Sequence, residues 1–143
     1  TVGASGNLKN GGITASFSNY GKSEVDVFAP GVNIYSTLPG ENMYGVLSGT
    51  SFSGPVVAGI AALIMEYYPA LSPQQVIMAI EKTAVFPNEK VLIPGTDEKV
   101  DMRQLSKTGI VNAFEAIKYA STIKPAIQKE VLPKSKIKKE KLG

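Results

Sequence analysis

Ser51 stands in the run Gly49-Thr50-Ser51-Phe52-Ser53-Gly54-Pro55-Val56-Val57-Ala58-Gly59, where a turn of small residues passes into an apolar helix. A hydroxyl at such a junction is placed to act as a nucleophile. The first turn of a helix leaves backbone N–H groups without intrahelical partners, and those donors, with the helix dipole, favour negative charge nearby. The N–H of Ser51 can therefore stabilise the oxyanion formed when its own hydroxyl attacks a carbonyl. Gly49 and Gly54 put no side chain in the way of an approaching polypeptide backbone. Thr50 completes the turn, and Pro55 is expected in or near the first helical turn, where a missing N–H costs little. The competing reading is that Ser51 only caps a helix, a role for which serine and threonine are strongly preferred.

The elements around this run can be placed by pattern. Thr1-Val2-Gly3-Ala4 reads as a short buried strand, Asn10-Gly11-Gly12 as a turn, and Ile13 to Phe17 as a second extended segment. Ser18-Asn19-Tyr20-Gly21 reads as a loop, and Val25 to Ala29 alternates as a strand that Pro30-Gly31 ends. Val32 to Thr37 and Met43 to Leu47 flank Pro39-Gly40-Glu41-Asn42 and predict a β-hairpin delivering the chain to Ser51. Leu47 and Ser48, just before the turn, are candidates for the leaving-group side of a substrate cleft, or for plain strand packing. From Phe52 the helix is apolar on nearly every face, which predicts burial. Ser72-Pro73-Gln74-Gln75 carries a capping-box pattern for a second helix with an apolar stripe of Val76, Ile77, Ile80 and Ala84. Val91-Leu92-Ile93 is expected as a short strand before a Pro94-Gly95 turn. Gly109 to about Tyr119 is expected as a last helix, with Ala113, Phe114 and Ile117 inward.

The longer string around Ser51 resembles the nucleophile motif of the subtilisin-like serine peptidases, the subtilases. Phe17-Ser18-Asn19-Tyr20-Gly21, Asp26-Val27-Phe28-Ala29-Pro30-Gly31, Ile34-Tyr35-Ser36-Thr37 and Gly109-Ile110-Val111-Asn112-Ala113 resemble other segments of that family, in order, from Thr1 to about Ala120. Phe52 stands where the family most often has Met, and Val56 where many members have a non-catalytic His. The resemblance implies an α/β fold: the C-terminal part of a doubly wound, mostly parallel sheet with helices and an antiparallel β-hairpin. It implies serine endopeptidase chemistry through an acyl-enzyme, with no cofactor in the mechanism. Structural calcium is common in the family but cannot be placed here. It further implies a polypeptide substrate and a secreted or cell-envelope location.

Composition sets the limits of that reading. The chain has no cysteine and no histidine. The first fact removes disulfides and thiolate metal sites; the second removes the usual base for a serine hydroxyl. In subtilases the triad runs Asp, His, Ser, so Asp and His are expected upstream of Thr1, as is the Asn side chain that supplies a second oxyanion donor. Residues 1–122 are therefore read as the C-terminal portion of a subtilase catalytic domain, inactive alone, and residues 123–143 as a Lys-rich tail or linker. The alternatives are a non-catalytic subtilase-like module with Ser51 as a cap, and a Ser-Lys dyad using Lys22 or Lys82. The tail holds seven lysines against two glutamates, which leaves eight basic and ten acidic residues before it. Without aromatic interleaving or a nucleic-acid motif it reads as solvated. Asp97, Glu98 and Asp101 lack the dense oxygen spacing of a calcium loop and read as a solvated cluster. No metal site is expected. Around the helix the uncharged stretch from Ser51 to Met65 is short for a membrane span. An apolar helix in a partial domain is expected to be covered by another chain, either the missing N-terminal half or a second copy.

Overall fold

A computed structural model of the protein describes residues 1–7, 9–41 and 43–126. The expected α/β class is what it shows. Strands β1 (Val2–Asn7), β2 (Asn10–Thr14) and β3 (Val27–Pro30) form a sheet of order β2-β1-β3. The β1–β3 pair is parallel, with Val2 opposite Val27 and Ala4 opposite Ala29, and β1–β2 is antiparallel. The outer side of β3 meets an isolated parallel bridge between Phe28 and Ile110. Asn10-Gly11-Gly12, expected as a turn, opens β2 instead. Asn7 pairs with both Asn10 and Gly11, and this irregular register is carried by Gly12 at φ 86°, a conformation open to glycine at little cost.

Helices α1 (Thr50–Tyr67), α2 (Pro73–Thr83) and α3 (Ala113–Ala120) pack together on one side. Their shared core is Ile60, Ile64, Leu71, Val76, Ala79, Ile80, Ala116 and Ala120. A second core joins Val25 and Phe28 to Val91, Val100, Met102 and Leu105. It is closed by a small hairpin of β6 (Val91–Leu92) and β7 (Lys99–Val100), and by a 3₁₀ turn over Met102–Gln104. Phe28 belongs to this second core and its ring lies against Gly3, where a Cβ would sit 2.8 Å from Cζ. Strand alternation sends the neighbouring Ala29 toward α1, whose buried Ser53 hydroxyl donates to the Ala29 carbonyl at 3.0 Å. β7 and the 3₁₀ turn had no sequence signal strong enough to predict them.

Several expectations about faces are corrected. The α2 stripe buries Val76, Ala79 and Ile80, whereas Ile77 is exposed. On α3 it is Ala116 and Ala120 that are buried, and Phe114 is 72% exposed. Small residues face inward because α2 and α3 approach closely, leaving room there for Ala but not Phe. Pro55 lies in the second turn of α1, not the first, because the helix already begins at Thr50. It therefore withholds the donor that the Ser51 carbonyl would ordinarily receive.

The largest correction concerns α1. Only Ser53, Ile60 and Ile64 of its residues are buried, while Leu63, Met65 and Tyr67 are exposed. One face packs on β1 and β3 and on the other two helices; among the described residues nothing covers the other. At 18 residues α1 also reaches the length and apolarity of a short membrane span, which the uncharged run alone understated. Its contacts with β1 and β3 make it a sheet-packed helix of an α/β fold.

Residues 123–126 remain tied to the body. Ile123 packs against the helical core, and the Gln75 side chain donates to the Lys124 carbonyl (2.8 Å) and accepts from the Ala126 N–H (3.2 Å). The rest of the lysine-rich tail, 127–143, lies outside the described residues.

Candidate active site

The site is built where β3 ends. Gly31 follows Pro30, and its N–H donates to the Ser5 carbonyl at 2.9 Å. Its own carbonyl accepts from the Gly49 N–H at 2.8 Å. A Cβ on Gly31 would sit 2.8 Å from the Ala4 Cβ and 3.0 Å from the Gly49 carbonyl oxygen, and would also strike the Ser53 hydroxyl. Glycine is therefore required by close packing, and this packing sets the start of α1 directly over the end of the sheet. Sequence reasoning took Pro30-Gly31 as a strand terminator and missed both this role and the anchoring hydroxyl of Ser53.

The hairpin of β4 (Ile34–Thr37) and β5 (Tyr44–Leu47) projects from the same point. The two runs expected as a hairpin do pair, with Ile34 opposite Leu47 and Thr37 opposite Tyr44. At its base Asn33 holds φ 55°, rare outside glycine, and its N–H donates to Ser48 Oγ at 2.8 Å. Leu47 (40% exposed) and Ser48 both reach solvent beside the turn.

The N-cap of α1 is Gly49, with extended backbone and no side-chain cap bond. The Phe52 N–H donates to the Gly49 carbonyl at 3.0 Å. Ser51 is the second helical residue and is exposed. Its N–H lies in the first turn, without an intrahelical acceptor. Among the described residues nothing hydrogen-bonds Ser51 Oγ. Its hydroxyl therefore does no capping here. Of the lysines weighed for a dyad, Lys82 lies over the Tyr119 ring, 5.8 Å from its centroid, and neither it nor Lys22 bonds Ser51. No group of three or more His, Cys, Asp or Glu side chains converges among the described residues. Asp101 instead caps the 3₁₀ turn, accepting from the Arg103 N–H at 2.8 Å. That bond, joined by the Arg103 guanidinium, holds the Asp101 carboxyl below its ordinary range.

Fold and site together define an α/β protein with an unprotected serine at the open start of a sheet-packed helix. Residues 1–114 match the model of the Subtilase family, and the chain belongs to that family. It is 51% identical over 83 residues to Subtilisin DY of Bacillus licheniformis, covering 58% of this chain and 28% of that protein. It is 48% identical over 83 residues to Subtilisin E of Bacillus subtilis (strain 168), covering 58% and 21%. The chain thus spans less than a third of the length of the curated relatives it matches. Among solved structures, the patellamide maturation protease PatA superposes with a TM-score of 0.64 at 28% identity, over 84% of this chain and 42% of that one. MycP1 with its N-terminal propeptide removed gives 0.58 at 32% identity, over 82% and 35%.

Proposed function

We propose that the protein to which this chain belongs is a serine endopeptidase in which Ser51 is the nucleophile. The observation that carries this is the start of α1. In the stretch that matches the family, the serine is exposed, its hydroxyl is free of capping work, and its N–H has no helical acceptor. In the reaction, Ser51 Oγ bonds to a peptide carbonyl carbon as its proton passes to a histidine outside this chain, held in turn by an aspartate. The oxyanion is met by the Ser51 N–H and an asparagine side chain, also outside it. The protonated histidine gives its proton to the leaving amine, and water then releases the acyl group. No cofactor enters this sequence. Gly49, Thr50 and Pro55 shape the turn, and Leu47 and Ser48 border the leaving-group side. The complete domain carries the doubly wound, mostly parallel sheet, and the family points to a secreted or cell-envelope location.

By this reading the 143-residue chain is inactive alone, because it has no histidine. It also needs a polypeptide partner. Leu63, Met65 and Tyr67 of α1 are all exposed. Each large apolar side chain left in water forgoes about 1.5–3 kcal/mol of burial, against a typical domain stability of roughly 5–15 kcal/mol. The preceding half of the domain is the natural cover, and a second copy is the substitute when the chain stands alone. Light scattering across a dilution series tests this: a dilute, cooperatively unfolding monomer contradicts it.

The test of the nucleophile is fluorophosphonate labelling of the complete catalytic domain. Labelling is expected on Ser51 and absent in Ser51→Ala; labelling that persists in the variant overturns the assignment. A module that never labels, although correctly folded, is the non-catalytic alternative.

A further inference from the structure

The β4–β5 hairpin carries an aromatic face that the proposed chemistry does not use. Cross-strand partners share a face, as do alternate residues of one strand. By the observed register Tyr35, Thr37, Tyr44 and Val46 therefore lie together on one face. All four are exposed, Tyr35 at 70%, Tyr44 at 59% and Val46 at 57%. The two tyrosine rings stack, with centroids 5.8 Å apart and planes 12° from parallel. No residue of this face is charged.

We propose that this face is an extended specificity subsite for the leaving-group side of the polypeptide substrate, favouring an aromatic or large apolar side chain three to five residues beyond the cleaved bond. The inference rests on Ser51 being the nucleophile and on Leu47–Ser48 bordering the leaving-group side. Continuity with the serine turn is what assigns the occupant. Strand β5 runs through Leu47 and Ser48 into Gly49-Thr50-Ser51, and its base is held by the Asn33 N–H to Ser48 Oγ and the Gly49 N–H to the Gly31 carbonyl. The hairpin is thus fastened to the nucleophile turn at both of its strands. From Leu47 back to Tyr44 is three residues, about 10 Å at the rise of a strand, within reach of an extended peptide whose carbonyl sits at Ser51. The stacked pair offers exposed, uncharged aromatic surface, and such surface gains from a further aromatic ring packed against it.

The test is made on the complete catalytic domain with three readouts. Fluorophosphonate labelling and hydrolysis of a peptide nitroanilide report Ser51 and the acyl side, since neither reagent has amino-acid residues on the leaving-group side. A pair of matched long peptides, one with Phe and one with Gly at the fourth residue past the cleaved bond, reports the hairpin. Wild type is expected to prefer the Phe peptide by roughly three- to tenfold in kcat/KM, the size of one aromatic contact, and Tyr35→Ala/Tyr44→Ala is expected to abolish that preference through KM. Labelling and nitroanilide hydrolysis should stay unchanged in the variant. Absence of labelling in wild type means that the proposed function has failed. Normal labelling without a Phe preference, or a preference that survives in the variant or appears only for residues before the bond, overturns the subsite. Tyrosines that resist nitration in the complete domain overturn it as well, because another part of the protein then covers them.

Discussion

Helices α1 and α2 begin in opposite ways within one small molecule. At α2 every device for closing a helix start is present. The Ser72 hydroxyl accepts from the Gln75 N–H at 3.3 Å, the Gln75 side chain accepts from the Ser72 N–H at 2.9 Å, and Pro73 takes the first position. At α1 the cap is a glycine with no side chain to offer, the proline is displaced into the second turn, and a first-turn serine has an N–H with no helical acceptor and a hydroxyl that nothing bonds among the described residues. Both starts are rich in serine and proline, so composition does not distinguish them; position does. A closed start spends its donors on stability, and an open one keeps them for something that arrives from outside. Under the proposed function, this is the physical sense in which the start of α1 serves the reaction and the start of α2 serves stability.

The sharpest way to break the comparison is to remove the two serines in turn. In the complete domain, Ser51→Ala is expected to lower kcat by about 10⁶, the scale known for subtilisin itself, with little change in Tm, because nothing in the described structure bonds the hydroxyl. Ser72→Ala should reverse the pattern, leaving kcat unaffected and costing about 0.5–2 kcal/mol by urea titration. Equal stability losses from both variants would mean that the two starts are alike.

Closing the open start should sharpen the contrast. The backbone of Gly49 is extended, and a Cβ there meets Phe52 Cδ2 at an ordinary 3.5 Å, so Gly49→Asp fits. Its carboxylate can accept from the Ser51 or Phe52 N–H as a normal cap, adding a few tenths of a kcal/mol. Taking the Ser51 donor from the oxyanion, and placing a negative charge beside it, should reduce kcat by about 10²–10³. A variant that gains stability and keeps its rate would show that the bare cap has no catalytic meaning.

The smallest expected effect belongs to the 3₁₀ turn at Asp101, a third closed start. Its carboxyl is held below the ordinary 3.8 by the Arg103 N–H and guanidinium. The folded state therefore favours the ionised form. The contribution is present above pH 3.8 and is lost as pH falls through the lower, folded value. Asp101→Asn should flatten that part of the acid limb of a stability–pH curve and leave neutral activity unchanged. An identical acid limb in both proteins would remove the assignment.

Local chemistry made much of this molecule legible. The capping box of α2 is a four-residue pattern whose partners are each other, so it could be read in full from Ser72-Pro73-Gln74-Gln75. The hairpin followed from two extended runs around one turn, and Ser51 was marked by the order of small residues, Pro and Val-Ala-Gly around it. What failed were readings that depend on a neighbour in space. Phe114 and Ile77 were placed inward by their apolarity, but the packing of α2 and α3 buries Val76, Ala79 and Ile80 on one helix and Ala116 and Ala120 on the other. The α1 helix was expected to be buried on all faces, yet burial needs a second surface, and sequence pattern does not say whether one is opposite.

The sequence by itself determined the family, the candidate nucleophile and the start of α2, because these are carried by residues within a few positions of one another. Tertiary structure decided that Gly31 must be glycine, that Ser53 anchors the helix to Ala29, and that Tyr35 and Tyr44 share a face. Each of those facts arises between segments distant in the chain or paired across strands, where distance and register, rather than residue type, set what can touch.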